Sequence, residues 1–161
     1  MTVLTDIANA MDSYPLDETT ISIVDVALES GTAGVINVNE VWKFKVKVTN
    51  NGHVNMTDVV LHVNGTNGTT ISKKPTPSTG FTKNTIKADA LTINGGGGSS
   101  TTGYLYFTAP STQKPAGTAL LESHIFDWNA NFDHYFTNHT KDEDNATVNY
   151  PSGTYLAEVQ G

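Results

Sequence analysis

Cysteine and arginine are both absent from these 161 residues. Without Cys there is no disulfide framework, no thiolate metal site and no thiol nucleophile. Without Arg the forked, bidentate recognition of phosphate or carboxylate is missing, since Lys offers only a point charge. The net charge of −7 argues in the same direction, because phosphate binding needs clustered cations. A nucleic-acid partner is therefore not expected. No apolar run approaches the roughly 20 residues of a membrane-spanning helix, so membrane insertion is not expected either. The opening residues, Met1 to Ala10, hold Asp6 and neither a basic n-region nor an apolar h-region. The expectation is a chain made in the cytosol and used there or in a particle assembled there, and the alternative is a secreted chain whose signal was removed and Met1 added. Apolar residues make up only 37% of the chain, and Thr, Asn, Ser and Gly take much of the rest, a mix that suits short strands and polar turns.

What is present points to β structure. From Val41 to Val48 residue types alternate without a break, with Trp42, Phe44, Val46 and Val48 on one side and Lys43, Lys45 and Lys47 on the other. Successive strand side chains face opposite ways, so this is a strand with one face in a core and one in water. Asn50-Asn51-Gly52 then turns the chain, because Asn and Gly tolerate positive φ. Similar reasoning predicts strands over Thr20–Leu28, Asp58–Val63, Thr85–Ile93, Gly103–Thr108 and Gly117–Trp128, a weak one over Thr69–Lys73, and an interrupted one over Ala146–Val159. The Asn-Gly pairs at Asn64 and Asn67 favour tight turns. Seven or eight short strands at such spacing predict an all-β protein, an antiparallel Ig-like β-sandwich. Gly95-Gly96-Gly97-Gly98-Ser99-Ser100 reads as a long mobile loop between strands.

Residues 1–18 read as an N-terminal arm and residues 19–161 as the sandwich domain. Leu4, Ile7, Ala8 and Met11 follow helical spacing until Asp12-Ser13-Tyr14-Pro15 stops any helix. The arm is either a short helix or frayed tail, or a segment that docks on a neighbouring subunit, with Leu4, Ile7 and Met11 as its contacts. Phe132, Tyr135 and Phe136 follow the long strand and either cap the sandwich or form a sticky patch for a protein or a sugar.

Asp127, Asn129, Asn131 and Asp133 place oxygen side chains at every second position, as calcium loops do. Phe132 stands where such a loop needs Gly, and Asn138 where it needs Glu. The competing reading is a polar turn whose Asp and Asn bond their own backbone. No other cofactor is indicated. His124, His134 and His139 share that region, while His53 and His62 lie elsewhere, and all five read as solvated. No nucleophile elbow, phosphate loop or announced carboxylate pair supports catalysis, so no enzymatic activity is expected. Asn55, Asn64, Asn67, Asn138 and Asn145 each begin an Asn-x-Thr sequence, which serves either as a turn or as a glycan acceptor in a secreted protein.

The segment from Val41 to Gly52, followed by Met56-Thr57-Asp58-Val59-Val60-Leu61-His62-Val63, resembles the core of CARDB and DUF11-type immunoglobulin-like domains. The resemblance implies a sandwich fold and a spacer, adhesion or assembly role. Such domains usually stand in tandem, whereas this sequence holds one with its own arm. It looks like a virion accessory protein, a capsid decoration or tail subunit whose partner is a copy of itself or a capsid or tail protein. The alternative is an extracellular adhesion or carbohydrate-binding module of a bacterial or archaeal cell surface, stabilised by calcium.

Overall fold

A computed structural model describes residues 18–28, 35–75, 84–131, 139–142 and 152–161 of the chain. The strands in chain order are β1 (Thr19–Leu28), β2 (Ile36–Asn37), β3 (Val41–Asn50), β4 (Asn55–Gly65), β5 (Thr70–Ser72), β6 (Thr85–Lys87), β7 (Leu91–Ile93), β8 (Gly98–Thr101), β9 (Leu105–Thr108), β10 (Lys114–Asn131), β11 (His139–Asp142) and β12 (Ser152–Gln160). They form two sheets. One runs β1-β3-β9-β5, with β8 also on β3, and the other runs β2-β12-β10-β4-β6, with β11 on β10 and β7 on β4. All pairings are antiparallel except β2 with β12, which is parallel. The order β1-β3-β9-β5 facing β12-β10-β4 matches the A-B-E-D and G-F-C sheets of an immunoglobulin sandwich. The protein is an antiparallel, Ig-like β-sandwich.

The alternation in β3 holds throughout. Trp42, Phe44, Val46 and Val48 are buried. They meet Met56, Val59, Leu61 and Val63 of β4, Phe107 of β9, and Leu121, Ile125 and Trp128 of β10 in one core. Fully burying a side chain of this size contributes about 1.5–3 kcal/mol, so this cluster is the main source of stability. Asn67 and Gly68 both have positive φ (54° and 91°), the mark of a type I′ turn, and the Thr69 N–H donates to the Thr66 carbonyl at 3.1 Å. The other Asn-Gly pair, Asn64-Gly65, instead ends β4.

Two expectations are corrected. Gly95–Ser100 is not a long mobile loop. Gly96 (φ 79°) and Gly97 (φ 91°) form a tight turn, and Gly98–Thr101 is strand β8, paired with Lys47–Asn50. The Gly96 and Gly97 N–H groups donate to the Gly52 and Asn50 carbonyls at 2.7 and 2.8 Å. A Cβ at Gly95 would stand 2.7 Å from the Gly52 oxygen, so close backbone approach demands Gly there. The second correction concerns Thr85–Ile93, which is two segments rather than one strand. β6 pairs with His62–Asn64 and β7 with Met56 and Val59. Between them Ala88 turns inward, donating its N–H to the Leu61 carbonyl at 2.9 Å, while Ala90 and Thr92 face solvent. The expected shared face of Ile86, Ala88, Ala90 and Thr92 is therefore broken.

Candidate functional site

Of the expected contact residues, Leu4, Ile7, Met11, Phe132, Tyr135 and Phe136 lie outside the described residues, as does Asp133. Asp127, Asn129 and Asn131 lie in β10, not in a loop. The strand expected to end near Trp128 runs on to Asn131 because β4 and β11 flank it, pairing Asn129 with Thr57 and with Thr140. As residues of a strand, Asp127 and Asn129 are spaced about 6.6–7 Å apart along the backbone rather than gathered by a loop. The Asn129 amide donates instead to Asp58 Oδ2 at 2.8 Å.

β10 changes face along its length. Leu121, Ser123 and Ile125 are buried, but the next buried residue is Trp128. A register shift against β4 between Ile125 and Asp127 inserts the extra residue in β10, and a second shift, between Asp127 and Asn129, inserts one in β4. Before the shift, Glu122, His124 and Phe126 point outward. After it, Asp127 and Asn129 do.

The outer face of this sheet carries a row that no local pattern announces. Ser152 of β12, His124 of β10, His62 of β4 and Lys87 of β6 stand opposite one another in consecutive strands. The His62 and His124 ring centroids are 5.4 Å apart. Phe126, one outward position beyond His124, stacks on His62 at 4.0 Å and 15°. Lys87 Nζ lies 4.3 Å from the Phe126 ring centroid, within cation–π range. Parity alone places His62 outward, since Leu61 and Val63 are core. The pairing with His124 depends on register across 62 residues, which sequence reading does not supply.

The opposite sheet presents the Lys stripe. Lys43 and Lys45 place Nζ 4.7 and 4.5 Å from the Tyr104 ring centroid, and Tyr104 is 40% exposed. A depression of about 140 Å³ beside it is lined by Lys73, Asp89, Leu91 and Tyr104 among others. Lys73 and Asp89 form an ion pair at 3.1 Å on its rim.

The third feature is an edge. β1 pairs only with β3, and β12 pairs with β10 along its length but with β2 only at Val159 and Gln160, among the described residues. The two edges approach closely at Gly153, where a Cβ would come within 2.5 Å of the Ile21 carbonyl oxygen. Ile23, Val26, Leu28 and Tyr155 are partly buried against the core there. Leu156 is 57% exposed. Burial raises the Tyr155 hydroxyl above its ordinary pKa of about 10, because the phenolate loses hydration there.

No protein-family model matches the chain, and no curated protein matches it. Among solved structures it is similar to BslA, a bacterial hydrophobin, at 10% identity and TM-score 0.36, covering 88% of this chain and 96% of that one. It is also similar to Spo0M, a sporulation control protein from Bacillus subtilis, at 12% identity and TM-score 0.37. That alignment covers 88% of this chain and 50% of Spo0M, so this chain spans about half of the other's length. A PapD-like domain of human CEP192 aligns at 10% identity and TM-score 0.29, covering 89% of this chain and 87% of that one. Likenesses of this size assign no function.

Proposed function

We propose that the chain is a non-enzymatic structural and interaction module that joins copies of itself, or a larger protein body, by strand addition at the β1/β12 side of the sandwich. The observation that carries this reading is that edge. Two long strands, one from each sheet, each keep one side without a ladder partner over most of their length among the described residues. A row of backbone N–H and C=O groups is a ready template for another strand, and neighbouring apolar side chains add specificity. In sequence the arm directly precedes β1, and in this reading it supplies the second contact, through Leu4, Ile7 and Met11. With the resemblance to assembly and adhesion domains, the larger body is a virion and the chain a capsid decoration or tail subunit.

The test uses the full chain and Leu156→Lys, which places a charge on the open edge without disturbing a core residue. The full chain is expected to associate with rising concentration and the variant to stay monomeric at unchanged melting temperature. Equal association of both would refute strand addition at this edge.

A second reading rests on Tyr104. An exposed ring beside two ammonium groups suits an anionic sugar, the ligand of a carbohydrate-binding surface module. A glycan array in which uronate-containing sugars bind the full chain and not Tyr104→Ala would favour it. No binding across the array would dismiss it.

A further inference from the structure

We propose that the edge which accepts a strand is β12 rather than β1, and that its occupant is β12 of a second copy, paired antiparallel about a two-fold axis at Tyr155. This rests on the strand-addition reading above and gives it a strand, a partner and a register.

Backbone direction separates the two edge strands. The Asn51 N–H donates to the Glu18 carbonyl at 2.8 Å. Successive strand residues turn their N–H and C=O groups to opposite sides, so Thr20, Ser22 and Val24 face β3, while Thr19, Ile21 and Ile23 face outward. The outward Ile21 carbonyl is the one that lies against Gly153, where a Cβ would come within 2.5 Å of it. Farther on, Val24 pairs with Lys45 and Ala27 with Lys43, so a bulge with Asp25 at φ 54° breaks the ladder. Such bulges blunt an edge against pairing. β1 therefore offers no continuous run of outward groups.

β12 does offer one. The Val38 N–H donates to the Gln160 carbonyl at 2.8 Å, so Gln160 turns its backbone toward β2, on the side away from β10. By alternation Ser152, Thr154, Leu156 and Glu158 turn theirs to the same side. The other face of the strand agrees. The Thr66 N–H donates to the Leu120 carbonyl at 2.9 Å, which turns Leu120 and Glu122 toward β4 and leaves Leu121 and Ser123 to face Tyr155 and Gly153. β12 has no bulge of its own, since the shift between Ala119 and Leu121 adds its residue to β10. Among the described residues only β2 covers this edge, at Val159 and Gln160, so Ser152–Glu158 is open.

The ends of that window set the register. With the axis at Tyr155, Ser152 stands opposite Glu158 of the second copy and Thr154 opposite Leu156, and each such pair can exchange two N–H···O bonds. An axis moved to Leu156 would bring Gly153 opposite Val159, where β2 of the second copy already lies. The chosen register sets no carboxylate against another, because Glu158 meets a hydroxyl. Tyr155 meets its own copy as an aromatic pair, and the small Ala157 falls opposite Gly153, where β1 runs closest. A patch that fits itself in this way gives a closed, isologous dimer.

The test is disulfide trapping of the full chain, whose arm supplies the second contact in that reading. The sequence has no Cys, so only introduced residues can be linked. Thr154→Cys and Leu156→Cys would be purified separately, then oxidised with oxidised glutathione either alone or mixed. Both positions are exposed, so melting under reducing conditions should be unchanged. Directly opposed residues have Cα atoms about 5.5 Å apart, within disulfide reach, whereas diagonal ones stand about 7–8 Å apart, beyond it. The expected result is a linked dimer in the mixture, with one chain of each kind by mass, and none from either variant alone. Linkage of either variant with itself would overturn the register. So would no linkage in a chain whose association Leu156→Lys abolishes, and that result would leave strand addition standing. A full chain that stays monomeric at every concentration would overturn both.

Discussion

Asn50 shows how much a single polar residue organises in this sandwich. It is 1% exposed. Its amide donates to the Val54 and Ile93 carbonyls at 2.6 and 3.3 Å, and its Oδ1 accepts the Gly52 N–H at 3.1 Å. The side chain therefore ties the turn after β3 to the end of β7. Replacing it by Ala leaves those carbonyls and that N–H without their partner, at about 1–3 kcal/mol for a buried unsatisfied group. Asn50→Ala is expected to lower the urea midpoint by an amount equal to about 2–3 kcal/mol, whereas the exposed neighbour Asn51→Ala should change it by less than about 0.5 kcal/mol. The sequence marks Asn50-Asn51-Gly52 as a turn but gives no sign that Asn50 is buried, because its second carbonyl partner lies 43 residues away. Tyr155 makes a second residue-scale prediction. Its raised pKa means that the folded state resists ionisation while the unfolded state ionises near 10. Stability is thus intact below about pH 10 and falls as pH rises past it. Tyr155→Phe is expected to flatten that alkaline decline in a melting series from pH 9 to 11.

At the scale of elements, legibility follows periodicity. β3 could be read almost to the residue because seven positions alternate and all the apolar ones are core. The course of β10 could not be read, since register shifts turn its inward face from Leu121, Ser123 and Ile125 to Trp128. An oxygen at every second position from Asp127 looks the same in a loop and on the outer face of a strand, and it is the pairing of β10 with β4 and β11 that places Asp127 and Asn129 in a strand. The Gly run misled for another reason. Its composition matches a flexible linker, but the glycines are there because the Gly52 backbone crowds Gly95 and the Asn94 backbone crowds Gly98, and because Gly96 and Gly97 carry positive φ. Gly95→Ala is accordingly expected to destabilise the fold by about 1–3 kcal/mol in urea unfolding, whereas a linker position would tolerate it. Its loss should also be visible as faster amide exchange in β8.

For the whole molecule, the two sheets present three different surfaces: a Lys and Tyr104 stripe, a histidine row with Phe126, and the β1/β12 edge. Only the Lys part of the stripe was evident from the sequence, because a face is set by parity within one strand while a row across strands, like the approach of Tyr104 to the lysines, needs register. Fold class was legible for the same reason that the core was, through alternation and turn residues. Which strands form the edge follows from the pairing of β1 with β3 and of β12 with β10, which the sequence does not announce. The central claim is the edge, and light scattering across concentration tests it most directly. The full chain, a form lacking residues 1–17 and Leu156→Lys would be compared. The account expects a mass above 17.2 kDa that grows with concentration for the full chain and a monomer for the other two. A mass of 17.2 kDa for the full chain at every concentration would contradict it.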